Sequence, residues 1–288
     1  MCPDRVELFE VGPRDGLQNE AALIPAARKI ALVDALSACG FRRIEVTSFV
    51  SPKAIPQLAD AAEVMAGIDR AAGVAYVALT PNLRGFEAAH AARADAVAVF
   101  ASASEGFSRA NLNCTVAESL ARFEPVVTAA GAAGLPVRGY ISCVTDCPFD
   151  GPVPPEQVVR LAARLLAMGC TEISLGDTIG RARPPKVRAL LDAVLPEVPP
   201  GLLAGHFHDT GGQAIGNIAV CLDAGLRVFD TAIGGLGGCP YAPGAPGNVS
   251  TGAVADWLTA RGVATGLDAA ALRRAEALAR DLREADPA

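Results

Sequence analysis

The chain has 288 residues, 51% of them hydrophobic and 19% charged, with a net charge of −6. That is enough apolar material for one barrel-sized core as readily as for two smaller ones. The acidic balance argues against a nucleic-acid surface, and no uninterrupted apolar stretch of roughly 18 residues suggests a membrane span. The N-terminus "MCPDRVELFEV" enters a strand-like run without an apolar signal core, so a cytoplasmic protein is expected. Eight cysteines in a chain of this size read as reduced thiols rather than a disulfide framework. Cys143 and Cys147 are four apart, but two further soft ligands at zinc spacing are missing.

Short apolar runs, read as strands, fall at 6–11, 43–47, 74–79, 96–100, 137–142, 172–175, 202–208 and 228–233. Helical stretches lie between them, among them 25–38, 116–133, 155–168 and 212–224, and further helices are expected after Ala253 and over 269–284. Several helices end in glycine just before the next strand, as in "ALSACG", "LLAMG" and "CLDAG". Glycine just past a helix is a stop signal. Eight strand–helix units of this size predict a parallel α/β sheet closed into a single (β/α)8 TIM barrel. The barrel core spans about 5–262 and a C-terminal helical extension about 263–288, one catalytic domain over 1–288. A doubly wound open sheet is the second choice. "FDGPVPPEQ" reads as a βα connection, and 234–248, "GGLGGCPYAPGAPGN", as a long loop with no strand period.

Barrel active sites sit at the C-terminal ends of the strands. The unusual polar residues of this chain gather there, in "GPRDGLQNE", "SCVTDCPFDG", "SLGDTIG" and "GHFHDTGG". His206 and His208 are two apart on a strand, so both imidazoles point the same way and can grip one ion. Taken singly, Asp15 reads equally well as a turn-capping acid and Asn248 as a helix N-cap. Together, an Asp/His/His/Asn set suits Mg²⁺ or Mn²⁺ with open positions for substrate oxygens. Arg14, beside Asp15, suits a carboxylate or a developing enolate. Glu45 and Asp177 are acids in apolar surroundings that need a partner, and Arg14 is a candidate partner for either. Cys239, alone in its Gly/Pro-rich loop, is either a small hydrophobe or a group placed for chemistry.

"FEVGPRDGLQNE", "IEVTSFVSPKAIPQLAD", "TPNLRGFEAA", "RGYISC", "CTEISLGDTIG", "HFHDTGGQA" and "GGLGGCPYAPGAPGNVST" resemble the hydroxymethylglutaryl-CoA lyase family over roughly 5–260. The family belongs to a wider group of barrel metallolyases shared with isopropylmalate synthase, which lacks the cysteine loop. The resemblance implies a lyase that cleaves 3-hydroxy-3-methylglutaryl-CoA to acetyl-CoA and acetoacetate, with leucine breakdown and ketone-body metabolism as its usual setting. It implies that Asp15, His206, His208 and Asn248 hold a divalent metal, Mg²⁺ or Mn²⁺. Arg14 is then the enolate stabiliser, Cys239 the catalytic loop cysteine, and Glu45 and Asp177 supporting acids. Tyr140, Asn111 and Thr115 fall where relatives contact the acyl-CoA. The chain departs from the family pattern at Ala21, Gly211 and Gly252, where relatives commonly carry Lys, Tyr and Glu. A related thioester such as citramalyl-CoA is the alternative substrate, and a non-catalytic acyl-CoA-binding barrel is a further one. The expected partner is a small acyl-CoA, with neither nucleic acid nor membrane, and the expected assembly a homo-oligomer.

Overall fold

Each apolar run becomes one strand of a parallel sheet: β1 (Glu7–Glu10), β2 (Arg43–Ser48), β3 (Ala75–Leu79), β4 (Ala96–Ser102), β5 (Val137–Ser142), β6 (Glu172–Asp177), β7 (Leu203–Phe207) and β8 (Val228–Thr231). The computed structural model describes residues 5–20, 22–239 and 242–284, with the backbone alone at 238, 239, 242–246 and 284. β1 pairs with β8, Glu7 opposite Val228, and also with β2, Glu10 opposite Ile44. That double pairing closes the sheet into an eight-stranded parallel barrel and excludes the open sheet.

The helices α1 (Ala26–Ser37), α2 (Ala61–Gly67), α3 (Leu83–Ala91), α4 (Glu105–Leu112), α5 (Val116–Ala132), α6 (Pro155–Met168), α7 (Pro184–Val194), α8 (Ala214–Asp223), α9 (Thr251–Thr259) and α10 (Ala269–Glu284) complete the chain. Two apolar layers result. Leu8, Ile44, Tyr76, Val97, Ile141 and Ile173 belong to the large cluster shared with the helices. Phe9, Val11, Val77, Leu79, Ala98 and Tyr140 form a smaller separate cluster. Alternation along β1, β3, β4 and β5 supplies both layers. α10 packs back on α1, so the expected C-terminal helix flanks the barrel. Among the described residues, no helix is long and apolar enough to cross a membrane.

The loop expected over 234–248 is instead partly a hairpin, Gly238–Cys239 pairing antiparallel with Ala242–Pro246. A hairpin this short closes through local backbone bonds and needs no apolar face, so no period-2 pattern announces it. A second small hairpin, Asp146–Cys147 with Gly151–Pro152, sits in the connection from β5 to α6. Two of the departing glycines sit against neighbours, Gly211 against backbone and the half-buried Gly252 against the end of a side chain. A Cβ on Gly211 would lie 2.8 Å from the Gly180 carbonyl oxygen, and one on Gly252 would collide with the Glu276 carboxylate of α10. Ala21 lies outside the described residues.

Candidate active site

The chain leaves β1 through a single π-type turn, Gly12–Gly16. Three successive amides, of Arg14, Asp15 and Gly16, converge on the Val11 carbonyl at 3.2, 2.7 and 3.3 Å. Such turns recur at functional sites because they aim side chains that a regular helix would not. Here the turn presents Arg14 and Asp15. Arg14 Nε donates to Glu45 Oε2 at 2.6 Å, and its Nη1 to Asp15 Oδ1 at 2.5 Å. The guanidinium carbon lies 5.4 Å from the centre of the Tyr140 ring, and the Tyr140 hydroxyl donates to Glu45 Oε2 at 3.1 Å. Burial alone would lower the Arg14 pKa, but Glu45 and Asp15 outweigh it and hold the guanidinium charged. Glu45 is therefore Arg14's partner, as expected of a buried acid.

Asp15 faces the end of β7. Its Oδ2 lies 3.8 Å from His206 Nε2, and the His206 and His208 rings are 5.4 Å apart between centroids. Asp15, His206 and His208 each offer a ligand atom within 4.8 Å of the others, a cluster that could hold a metal ion. β7 ends at Phe207, and the chain beyond it pairs with 247–249. His208 bridges Asn248, Asp209 N–H donates to the Gly247 carbonyl at 2.7 Å, and Val249 N–H to the Phe207 carbonyl at 3.1 Å. That pairing delivers Asn248, whose Nδ2 donates to Asp15 Oδ2 at 2.8 Å. Ser250, not Asn248, is the residue before α9, so the capping role is not the one this asparagine fills.

The donor set fits a divalent cation. His208 Nδ1 is buried with no hydrogen-bond partner, a polar atom that burial leaves expensive unless something binds it. Burial and the adjacent His206 push the His208 pKa down to about 4, so its ring is neutral with lone pairs to give. Burial alone would raise the Asp15 pKa. Arg14, His206 and His208 together hold it well below the usual carboxylate range, so it is a carboxylate. The ligand oxygen of Asn248 would be Oδ1, since Nδ2 is committed to Asp15. Asp15, His206, His208 and Asn248 retain only 4–9% exposure, so the four donors are withdrawn from bulk solvent.

Other expected residues stand apart from this cluster. Asp177 closes β6, but its carboxylate accepts the amides of Arg181 at 3.1 Å and Ala182 at 3.0 Å, folding the next loop rather than meeting Arg14. Burial pushes its pKa up to about 6 against those two bonds. Asn111 is exposed on α4. Thr115 caps α5 through a reciprocal pair with Glu118, accepting its amide at 3.2 Å and donating to its carboxylate at 2.9 Å. The side chain of Cys239 lies outside the described residues. Two acids escaped the reading of the sequence. Glu10, fully buried at the end of β1, accepts the amides of Gly12 and Ile233, each at 2.8 Å, and the Thr251 hydroxyl at 2.7 Å. Asp230 sits in β8 against Arg138, Ser174 and His206. The available signal was an acid inside an otherwise apolar strand.

The family model described as HMGL-like matches residues 5–279. A Pseudomonas aeruginosa protein named 3-hydroxy-3-isohexenylglutaryl-CoA/hydroxy-methylglutaryl-CoA lyase is 56% identical over 270 residues, 94% of this chain and 90% of its own length. Hydroxymethylglutaryl-CoA lyase, mitochondrial, of Gallus gallus is 53% identical over 266 residues, 92% of this chain and 89% of its own. The crystal structure of the HMG-CoA lyase from Brucella melitensis has a TM-score of 0.97 and 59% identity, covering 98% of this chain and 99% of that one. With a barrel of the same form and a match over nearly its whole length, this chain belongs to the HMGL-like family.

Proposed function

We infer that this chain is a hydroxymethylglutaryl-CoA lyase, cleaving 3-hydroxy-3-methylglutaryl-CoA to acetyl-CoA and acetoacetate. The observation that carries the reading is a fixed guanidinium, Arg14, beside a buried Asp15–His206–His208 cluster at the mouth of the barrel. Relatives at 53–56% identity bearing that activity in their names favour this thioester over citramalyl-CoA.

Asp15, His206, His208 and Asn248 would hold the ion, Mg²⁺ or Mn²⁺ by the hardness of their oxygen and imidazole donors. A bound divalent ion supplies Lewis acidity, lowering the pKa of the substrate's tertiary hydroxyl. The chain's residues do the rest. Asp15 stands as proton acceptor for that hydroxyl, and its depressed pKa makes it a weak base that needs an acidified alcohol. As the oxygen becomes the ketone of acetoacetate, the C2–C3 bond breaks and its electron pair passes into the acetyl-CoA enolate. Arg14 stabilises the enolate charge, already aimed by Glu45 and backed by the Tyr140 ring, so little reorganisation is needed as charge develops. Cys239 delivers the proton that turns the enolate carbon into the methyl group of acetyl-CoA. A free thiol with a pKa of roughly 8.5 is mostly protonated near neutrality and can give that proton. Asn111 and Thr115 contact the acyl-CoA farther from the reacting carbon.

The experiment is a turnover assay on metal-stripped protein, supplied with Mg²⁺ or Mn²⁺ and hydroxymethylglutaryl-CoA, following acetoacetate. Metal-dependent acetoacetate supports the reading. Folded protein that releases none with either ion overturns it.

A further inference from the structure

His206 and His208 sit in the same crevice but in different company. His208 Nδ1 is buried without a partner. His206 Nδ1 lies 3.1 Å from Asp230 Oδ2. Asp230 is itself held from two further strands: Arg138 Nη2 of β5 donates to its Oδ1 at 2.6 Å, and Ser174 Oγ of β6 donates to its Oδ2 at 2.8 Å. Arg138 is fixed in turn. Its Nε lies 3.1 Å from Glu172 Oε1, and its guanidinium stacks over the Phe9 ring, 4.3 Å from the centroid. Arg43 grips the same Glu172 through two bonds of 3.0 and 3.1 Å. A ladder of alternating charge thus runs inside the barrel, Arg43 to Glu172 to Arg138 to Asp230, and its last rung is an imidazole. Arg138 and Asp230 are buried, Arg43 and Glu172 half-buried, and the desolvation cost of the inner pair is offset by the neighbouring charges.

We propose that Asp230 is the positioning carboxylate of the metal site: by accepting the Nδ1–H of His206 it fixes that ring's tautomer and rotation, so that Nε2 faces the ion. The inference rests on the reading of Asp15, His206 and His208 as ligands. The geometry fits, because with Nδ1 on Asp230 the other nitrogen is the one 3.8 Å from Asp15 Oδ2, a spacing two ligands of one ion can share. A carboxylate on the far nitrogen of a ligating histidine also raises its basicity, and losing such a partner typically weakens metal binding about 10–100-fold. In Asp230→Asn, one oxygen must replace two. Arg138 and His206 both donate, so one of them is left facing an amide N–H.

The test is Mn²⁺ binding to the full chain, by titration of free Mn²⁺ with electron paramagnetic resonance, beside ¹⁵N spectra of His206 in the Mg²⁺-loaded protein. Wild type is expected to show a proton on Nδ1. Asp230→Asn is expected to bind Mn²⁺ about 10–100-fold more weakly while retaining its fold by circular dichroism. Ser174→Ala, which removes one support and keeps the charge pair, is expected to weaken binding by a few-fold and stands in if the asparagine variant does not fold. Wild type that binds Mn²⁺, with folded Asp230→Asn binding equally well, overturns the role of Asp230 alone. A wild-type ring with its proton on Nε2 does the same. Wild type that binds no Mn²⁺ overturns the metal reading, and this inference with it.

Discussion

Arg14 and Glu45 meet at 2.6 Å, guanidinium Nε to carboxylate Oε2, with Glu45 wholly enclosed and its other oxygen unpartnered. The pair joins the turn after β1 to the middle of β2, so the cation is aimed before any substrate arrives. Preorganised charge of this kind acts on the transition state more than on the bound substrate. Arg14→Lys keeps the charge and loses the fork that binds Glu45 and Asp15 together. Its kcat is expected to fall roughly 100–1,000-fold, with a much smaller change in KM. Steady-state kinetics check this, and an Arg14→Lys enzyme within a few-fold of wild type removes the enolate role.

Cys239→Ser retains size and loses the acidity of the thiol. Most turnover is expected to vanish while the acyl-CoA still binds, because the donated proton is needed only after carbon–carbon cleavage. Calorimetric binding of an unreactive acyl-CoA beside a rate assay separates the two effects. Nearly unchanged turnover sinks the proton-donor role.

Asn248→Ala removes both the proposed ligand oxygen and the donor that steadies Asp15 at 2.8 Å. The Mg²⁺ concentration needed for half-maximal activity is expected to rise at least about tenfold. Chelation is expected to silence wild type, and Mg²⁺ or Mn²⁺ to restore it. Activity that survives exhaustive chelation contradicts the metal site.

Glu10 carries a pH signature. Burial pushes its pKa up from 4.5 to about 7, despite its bonds to Thr251, Ile233 and Gly12. Between those values the folded chain binds more protons at this site than the unfolded chain, so wild type loses stability as pH rises through the window. Glu10→Gln cannot titrate, and its oxygen can still accept both amides. Its stability relative to wild type is therefore expected to climb between about pH 4.5 and 7, by up to roughly 1.4 kcal/mol per pH unit. Denaturant titrations of both proteins across that range read the difference directly. A flat difference shows that Glu10 titrates normally.

Asn111 is exposed on α4, so truncating it is expected to leave thermal stability unchanged. Its proposed contact with the acyl-CoA predicts that Asn111→Ala raises KM several-fold at constant kcat. An unchanged KM removes it from the binding surface.

Most of the barrel was legible because each strand is a short apolar run, several of them preceded by a glycine-ended helix, and that signal is local. His206 and His208 were legible for the same reason, two residues on one strand. Asp15 and Asn248 were ambiguous singly, since either suits a turn or a cap. Only the strand-like pairing of 247–249 with the end of β7 brings them together. Asp177 lay in a suggestive place, yet its carboxylate serves backbone amides four and five residues on. Asp230 and Arg138 were passed over because nothing along the sequence links positions 92 residues apart across the barrel interior. The hairpin at Gly238–Cys239 was missed because a two-residue strand leaves no period to read.

The hydrogen bond between Asn248 and Asp15 has a bearing on how the molecule is born. Asp15 is made 233 residues before Asn248, and well before both histidines. Early strands can pair and collapse as they emerge. The cation cluster cannot, because its acid waits for partners not yet made. The growing polypeptide therefore carries no finished metal trap through most of its synthesis, and a chain released before the last barrel strand and the loop after it is expected to be both inert and unable to hold an ion.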